Sequence, residues 1–191
     1  MTLPNEDSPF DLSLLAHTDA RPGAETYSPE DQVILLFNQL RDPLLRYTLS
    51  LGVGTSDGED LIQDAFVSLS RHLRLGKSRA NLRGWLFRVA HNLALKRKGA
   101  ALRLHYVGNV SFEMKADQGE NPEEHLARAQ RHQLLLAVWD ALPELDRNCL
   151  RLRAEGLRYR EIAQALGISL GAVSKSLVRS FEKLSRADAR R

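Results

Sequence analysis

The chain has 191 residues, of which 43% are apolar and 27% charged, with a formal net charge of +3. No run approaches the roughly 18 apolar residues of a membrane span, so membrane insertion is not expected, and the acidic, polar start Met1-Thr2-Leu3-Pro4-Asn5-Glu6-Asp7 does not read as a secretory signal. Cys149 is the only cysteine, which excludes an internal disulfide and points to a reducing, cytoplasmic setting.

Residues 1–27 scatter Pro4, Pro9, Pro22 and Gly23 among Asp, Ser and Thr and predict a disordered tail. Order is expected from Ser28-Pro29-Glu30-Asp31, where Ser28 can cap a helix and Pro29 suits its first position. Val33, Ile34, Phe37 and Leu40 follow at helical spacing; Asp42-Pro43 predicts a break and restart, and Gly52 and Gly54 an end. Ser56-Asp57-Gly58-Glu59 matches a capping box ahead of the stripe Leu61, Ile62, Ala65, Phe66, Leu69 and Leu73. After a loop around Gly76, a helix is predicted from about 81 to 98. Leu82, Trp85, Leu86, Val89 and Leu93 make its core face, and Arg88, His91 and Asn92 lie on a flank outside it.

Residues 100–124 lack sustained periodicity and read as a linker. A helix from Asn121-Pro122 carries Leu126, Leu134, Leu135, Val138 and Trp139; Pro143 separates it from one that stops at Gly156. Then come Arg158 to Leu166, the turn Gly167-Ile168-Ser169 and a last helix, the pattern of a helix-turn-helix. Gly167 suits a left-handed turn position and Ser169 a cap. With Val173 inward, Leu170, Leu177, Phe181 and Leu184 are expected inside; Gly171, Ala172, Ser174, Lys175, Val178 and Arg179 face out, where Lys175 and Arg179 can reach phosphate or a guanine edge. No alternating strand pattern occurs. The expected fold is all-α: a 28–99 domain and a 125–187 helix-turn-helix domain joined by a flexible linker.

Charge is distributed unevenly. Between Asp64 and Glu113 there is no acid, and Arg71, Arg74, Lys77, Arg79, Arg83, Arg88, Lys96, Arg97, Lys98 and Arg103 fall in the gap. Such a run attracts a polyanion and releases its counterions.

The segment Leu142-Pro143-Glu144-Leu145 to Leu184, centred on Gly156-Leu157-Arg158-Tyr159-Arg160-Glu161-Ile162-Ala163, resembles the −35-reading region of bacterial sigma-70 family factors, above all the compact extracytoplasmic-function (ECF) group. Asp60-Leu61-Ile62-Gln63-Asp64-Ala65-Phe66 is similar to the acidic motif by which these factors hold RNA polymerase, and Asn81-Leu82-Arg83-Gly84-Trp85-Leu86-Phe87-Arg88-Val89-Ala90-His91-Asn92-Leu93-Ala94 to the helix that reads the −10 element.

The resemblance implies a sigma factor that places core polymerase at promoters and is not an enzyme. Asp60, Gln63 and Asp64 would dock on the clamp of the largest subunit, the flap would be a second polymerase contact, and an anti-sigma factor is a further partner. Lys77, Arg79, Arg83, Arg88, Asn92, Lys96 and Arg97 would meet −10 DNA, with Asn92 reading a base. Arg158, Ser169, Gly171, Ser174, Lys175, Val178 and Arg179 would meet the −35 element. Family members usually carry a basic residue where Ser174 and Ser176 stand. Arg158 takes the place of a capping Ser or Thr, at a cost of about 1 kcal/mol.

Two other classes compete with this reading. A helix-turn-helix regulator acting without polymerase would leave the basic upstream half unexplained. A metal-dependent hydrolase would want clustered ligands, and His17, His72, His91, His105, His125 and His132 are scattered. No cofactor, metal or small-molecule substrate is expected.

Overall fold

The computed structural model describes residues 28–104 and 122–188, and those residues form seven helices and no strand. The tail 1–27 and residues 105–121 of the expected linker, with Val107, Val110 and Phe112, lie outside the described residues. In chain order the helices are α1 Pro29–Ser50, α2 Thr55–Arg74, α3 Leu82–Leu104, α4 Pro122–Asp140, α5 Glu144–Ala154, α6 Tyr159–Leu166 and α7 Leu170–Asp188.

Helix α1 opens as the sequence predicts, with Ser28 Oγ accepting the Asp31 N–H at 3.1 Å and Pro29 in the first turn. The expected break at Pro43 does not occur, and α1 runs through it. A helix-interior proline costs about 3 kcal/mol. Leu40, Leu44 and Tyr47, buried on either side of it, offset that cost at roughly 1.5–3 kcal/mol per large side chain. Gly52, at φ +89°, stops the helix.

Gly54 begins α2 and does not close α1. The capping box expected at Ser56 is not formed, because the helix starts at Thr55 and puts Ser56 inside its first turn. All six residues of the α2 stripe are buried as expected. Gly58 is a glycine for packing reasons: a Cβ there would stand 3.1 Å from Leu45 Cδ1 of α1.

Helix α3 departs most from expectation. It continues to Leu104, since one glycine among Ala, Leu and Arg does not end a helix. Its buried arc is wider than the predicted stripe: Leu82 and Leu86 are buried, Trp85, Val89 and Leu93 half-buried, and Phe87, Ala90, His91 and Ala94 buried as well. The reason is position. Helix α3 touches α1 and α2 on one side and α6 on the other. His91, expected on an open flank, is therefore inside, with Nδ1 2.8 Å from the Tyr47 hydroxyl.

The helix-turn-helix forms as expected at its turn, where Gly167 has φ +68° and Ser169 Oγ accepts the Ala172 N–H at 3.1 Å. Its inward face is rotated from the expected one. Val173 and Leu177 are buried, yet Leu170 and Phe181 are both 47% exposed, and Ser176 and Ser180 occupy the inner positions. Ser176 holds that rotation by donating to Asp146 of α5 at 2.7 Å, while Ser180 is satisfied within α7 by donating to the Ser176 carbonyl at 2.7 Å.

The two helical halves pack together with α3 against α6 and α1 against α5, and their buried residues form one continuous cluster. Close approach at this seam needs a small residue. A Cβ on Gly84 would lie 3.1 Å from the Glu161 carbonyl of α6. Around it runs a polar clasp. Arg46 of α1 donates from Nε and Nη2 to the Glu155 carboxylate, the latter at 2.8 Å; Arg83 of α3 donates to the Glu155 carbonyl at 2.7 Å; Asn81 donates to Gln164.

Two measurements check this packing. Burial lowers the His91 pKa against a weaker opposing influence of Glu144, so folded His91 stays neutral where unfolded His91 is protonated. Its contribution is present above the unfolded value of about 6.5 and is lost as pH falls below it. The thermal midpoint should therefore drop between pH 7.5 and pH 5.5, and His91→Gln should flatten that drop. For the seam, Glu155→Ala removes a pair whose arginine is 61% exposed and whose carboxylate is 12% exposed, worth at most about 1 kcal/mol. Amide exchange in α6 should accelerate two- to fivefold in that variant, about the factor that such an energy allows.

Candidate nucleic-acid interface

The loop before α3 is built from local bonds. His72 Nε2 lies 2.8 Å from the Ser78 carbonyl, and Ser78 Oγ accepts the Ala80 N–H at 3.2 Å. Asn81 then sits at φ +52°, a region Asn tolerates, and its Oδ1 accepts the Gly84 N–H at 3.2 Å to start the helix. Trp85 is half-buried, its ring 4.7 Å from that of His72. Phe87 is fully buried and belongs to the core.

The upstream candidates separate into two groups. Lys77, Arg79, Arg88, Asn92, Lys96 and Arg97 are exposed. Arg88, Asn92 and Lys96 follow one another at four-residue spacing along a single face of α3. Among the described residues Arg88 and Lys96 form no ion pair. Arg97 is engaged, at 2.5 Å from Asp57 and 3.7 Å from Asp60, and its hydrogen bond holds the Asp57 carboxyl below the usual range. Arg83 does not join the exposed set. It is half-buried at the seam and bound to Glu155.

Asp60, Gln63 and Asp64 are exposed at three- and four-residue spacing on α2, on the side away from its buried stripe. They form an acidic edge of α2, and Arg97 of α3 reaches Asp60 at its start.

On the downstream half Gly171, Lys175 and Val178 are exposed and Ser174 half-buried, at the three- and four-residue spacing of one α7 face. Ser169 lies exposed at the start of that helix and Arg158 exposed at the start of α6. Arg158 has no acceptor to cap with. Instead Glu161 accepts the Arg158 N–H at 2.6 Å, half of a capping box that recovers part of the expected loss. Ser176 is 1% exposed and faces α5, so a basic residue there would be buried. Of the two serines that replace family cations, only Ser174 borders the outer face.

Arg179 is more constrained than its sequence position suggests. Its Nε and Nη2 lie 2.9 and 2.6 Å from the two oxygens of Asp146, which has no solvent exposure. Burial alone would push the Asp146 carboxyl up. The bonds from Arg179 and Ser176 outweigh burial and hold it below the usual range.

The residues that sequence reasoning missed are Arg46, Asn81, Asp146, Glu155 and Gln164. Each acts through a partner at least 30 positions away, in four bonds: Arg46–Glu155 at a separation of 109, Asn81–Gln164 at 83, Arg83–Glu155 at 72 and Ser176–Asp146 at 30. No local pattern marks such pairs. Asp146 in particular reads as an ordinary acid in the first turn of a helix.

Residues 36–102 match the family model for sigma-70 region 2, and residues 132–184 match that for sigma-70, region 4. The ECF RNA polymerase sigma factor SigE of Mycolicibacterium smegmatis is 29% identical over 152 residues, which are 78% of this chain and 58% of that protein. The RNA polymerase sigma factor YlaC of Bacillus subtilis is 25% identical over 163 residues, 82% of this chain and 91% of that one. Among solved structures, the sigma factor RpoE of Bartonella quintana in complex with the anti-sigma factor NepR aligns with a TM-score of 0.58 at 20% identity over 85% of this chain and 99% of that one, a likeness of fold. With both region models in order on an all-α chain, and named ECF factors among its relatives, the protein belongs to the sigma-70 family as a sigma factor of the extracytoplasmic-function group.

Proposed function

We propose that the protein directs core RNA polymerase to a set of promoters by holding −10 DNA on α3 and the −35 element on α7. The observation that carries this reading is that both faces are exposed and chemically suited. Arg88, Asn92 and Lys96 line one side of α3, and Gly171, Ser174, Lys175 and Val178 line one side of α7. The lysines and arginines neutralise phosphate and position the protein, while the Asn92 amide offers a donor and an acceptor to a base that melting has unstacked. Small residues at the start of α7 let it enter a major groove.

Asp60, Gln63 and Asp64 dock on the polymerase clamp in this reading, and α4 to α7 engage the flap. Binding to so large a partner supplies the energy to part the seam, which frees Arg83 from Glu155 and Asn81 from Gln164. An anti-sigma factor acts in the opposite direction by keeping the halves closed, as suits a fold shared with a sigma factor held by such an inhibitor. The protein works in the cytoplasm and catalyses nothing itself. No helix among the described residues is long and apolar enough to cross a membrane.

In vitro transcription with core polymerase on a genomic promoter pool tests the reading. Start sites absent with core alone should appear with the protein added, and a duplex-binding assay without polymerase should show little selectivity. Selective duplex binding alone, with no effect on start sites, would instead mark a regulator independent of polymerase. Asn92→Ala should change preference at one −10 position by roughly tenfold, within the range for loss of a base-edge pair, and leave the others as they were.

A further inference from the structure

The one carboxylate with no solvent exposure among the described residues is Asp146, and it sits directly behind the outward face of α7. A buried carboxylate is costly unless its oxygens are well satisfied. Here both are, and the donors come from α7: Ser176 Oγ at 2.7 Å and Arg179 Nη2 at 2.6 Å on Oδ1, and Arg179 Nε at 2.9 Å on Oδ2.

Two consequences follow from this geometry. Residues 176 and 179 are one turn apart, so a single carboxylate on α5 fixes the rotation of α7 about its axis. That rotation decides that Gly171, Ser174, Lys175 and Val178 face out, and it explains why Leu170 and Phe181 are not core. The fork also uses only two of the five guanidinium donors. The Arg179 side chain is still 54% exposed, so its remaining donors are open to a ligand in a plane already set by Asp146. An arginine ordered beforehand loses less rotamer freedom on binding a guanine edge or a phosphate.

We propose that Asp146 is a positioning residue for promoter recognition: it buttresses Arg179 and locks the register of α7, so that Arg179 reads a −35 base pair as one half of an Asp146–Arg179 pair. This rests on the assignment of α7 to the −35 element. The opposite role, a carboxylate that withholds Arg179 from DNA, predicts the opposite response to its removal.

The experiment uses the full chain with core polymerase on a promoter library randomised through the −35 element, comparing wild type, Asp146→Asn, Arg179→Ala and the double variant, with thermal midpoints measured alongside. Asp146→Asn should relax preference roughly tenfold at the same base pair that Arg179→Ala affects. It should have no further effect in the Arg179→Ala background, since the two act as one unit. Unchanged base preference in a folded Asp146→Asn protein would overturn the proposal, and so would tighter or more selective binding. If Asp146→Asn does not fold, Ser176→Ala keeps the ion pair and loses one register bond. It should blur preference across the α7 face by a smaller factor, and wild-type preference there would count against the proposal. A wild-type protein that selects no start sites at all would defeat the −35 assignment itself, a result separate from any difference among the variants.

Discussion

The close approach of α3 to α6 at Gly84, clasped by Glu155, constrains everything else in this molecule. Glu155 sits at the end of α5 and receives Arg46 from α1 on its carboxylate and Arg83 from α3 on its carbonyl. Through those two bonds the turn before the helix-turn-helix is tied to α1 and α3, two of the three long helices of the upstream half. The same contact buries residues at the start of the helix proposed to hold −10 DNA. A resting protein of this shape presents its acidic α2 edge and the far end of α3, and keeps the start of α3 covered. The clasp holds one ion pair, Arg46–Glu155, whose arginine is largely exposed, so that pair is weak and weakens further with salt. The seam also joins the apolar cluster of the two halves, and a partner that opens it must cover the apolar surface it exposes.

A second constraint lies in the downstream half, where the core between α5 and α7 is partly polar. Asp146, Ser176 and Ser180 take places that apolar residues could fill. Polar groups in a core contribute less to stability than to choosing one packing among several. The choice here is the rotation of α7, so the polar core and the outward set proposed to face DNA are two sides of one arrangement. The upstream half has its own buried pair in Tyr47 and His91, which fixes α1 against α3.

Much of this was legible in the sequence, and the reasons are local. Ser28-Pro29, Gly52, Gly156 and Gly167 announce helix ends through backbone chemistry that needs no tertiary context. The α2 stripe reads correctly because that helix buries one face only. Where a helix has neighbours on two sides the rule fails, as at Phe87 and His91, which lie off the α3 stripe but inside the protein. Pro43 misleads because burial of Leu44 and Tyr47 outweighs its local preference. Phe181 misleads because Ser176, five residues earlier on α7, makes the better inward contact through Asp146 on α5. Charge and spacing mark the basic run and the outward face of α7, and the resemblance to the family supplies their candidate −10 and −35 roles. What spacing could not show is that Arg83, Arg97 and Arg179 already have intramolecular partners, since those partners are far away in the chain.

The distance between the two halves offers the most direct test. Cys149 is buried, so cysteines introduced on exposed positions of α2 and α7 can carry spin labels without interference from it. In the free protein the label separation should be short and narrowly distributed, as set by the α3–α6 seam. In the complex with core polymerase and promoter DNA it should become clearly longer. A complex that initiates transcription with the short separation unchanged would contradict the account, because the covered start of α3 could then have no part in holding the promoter.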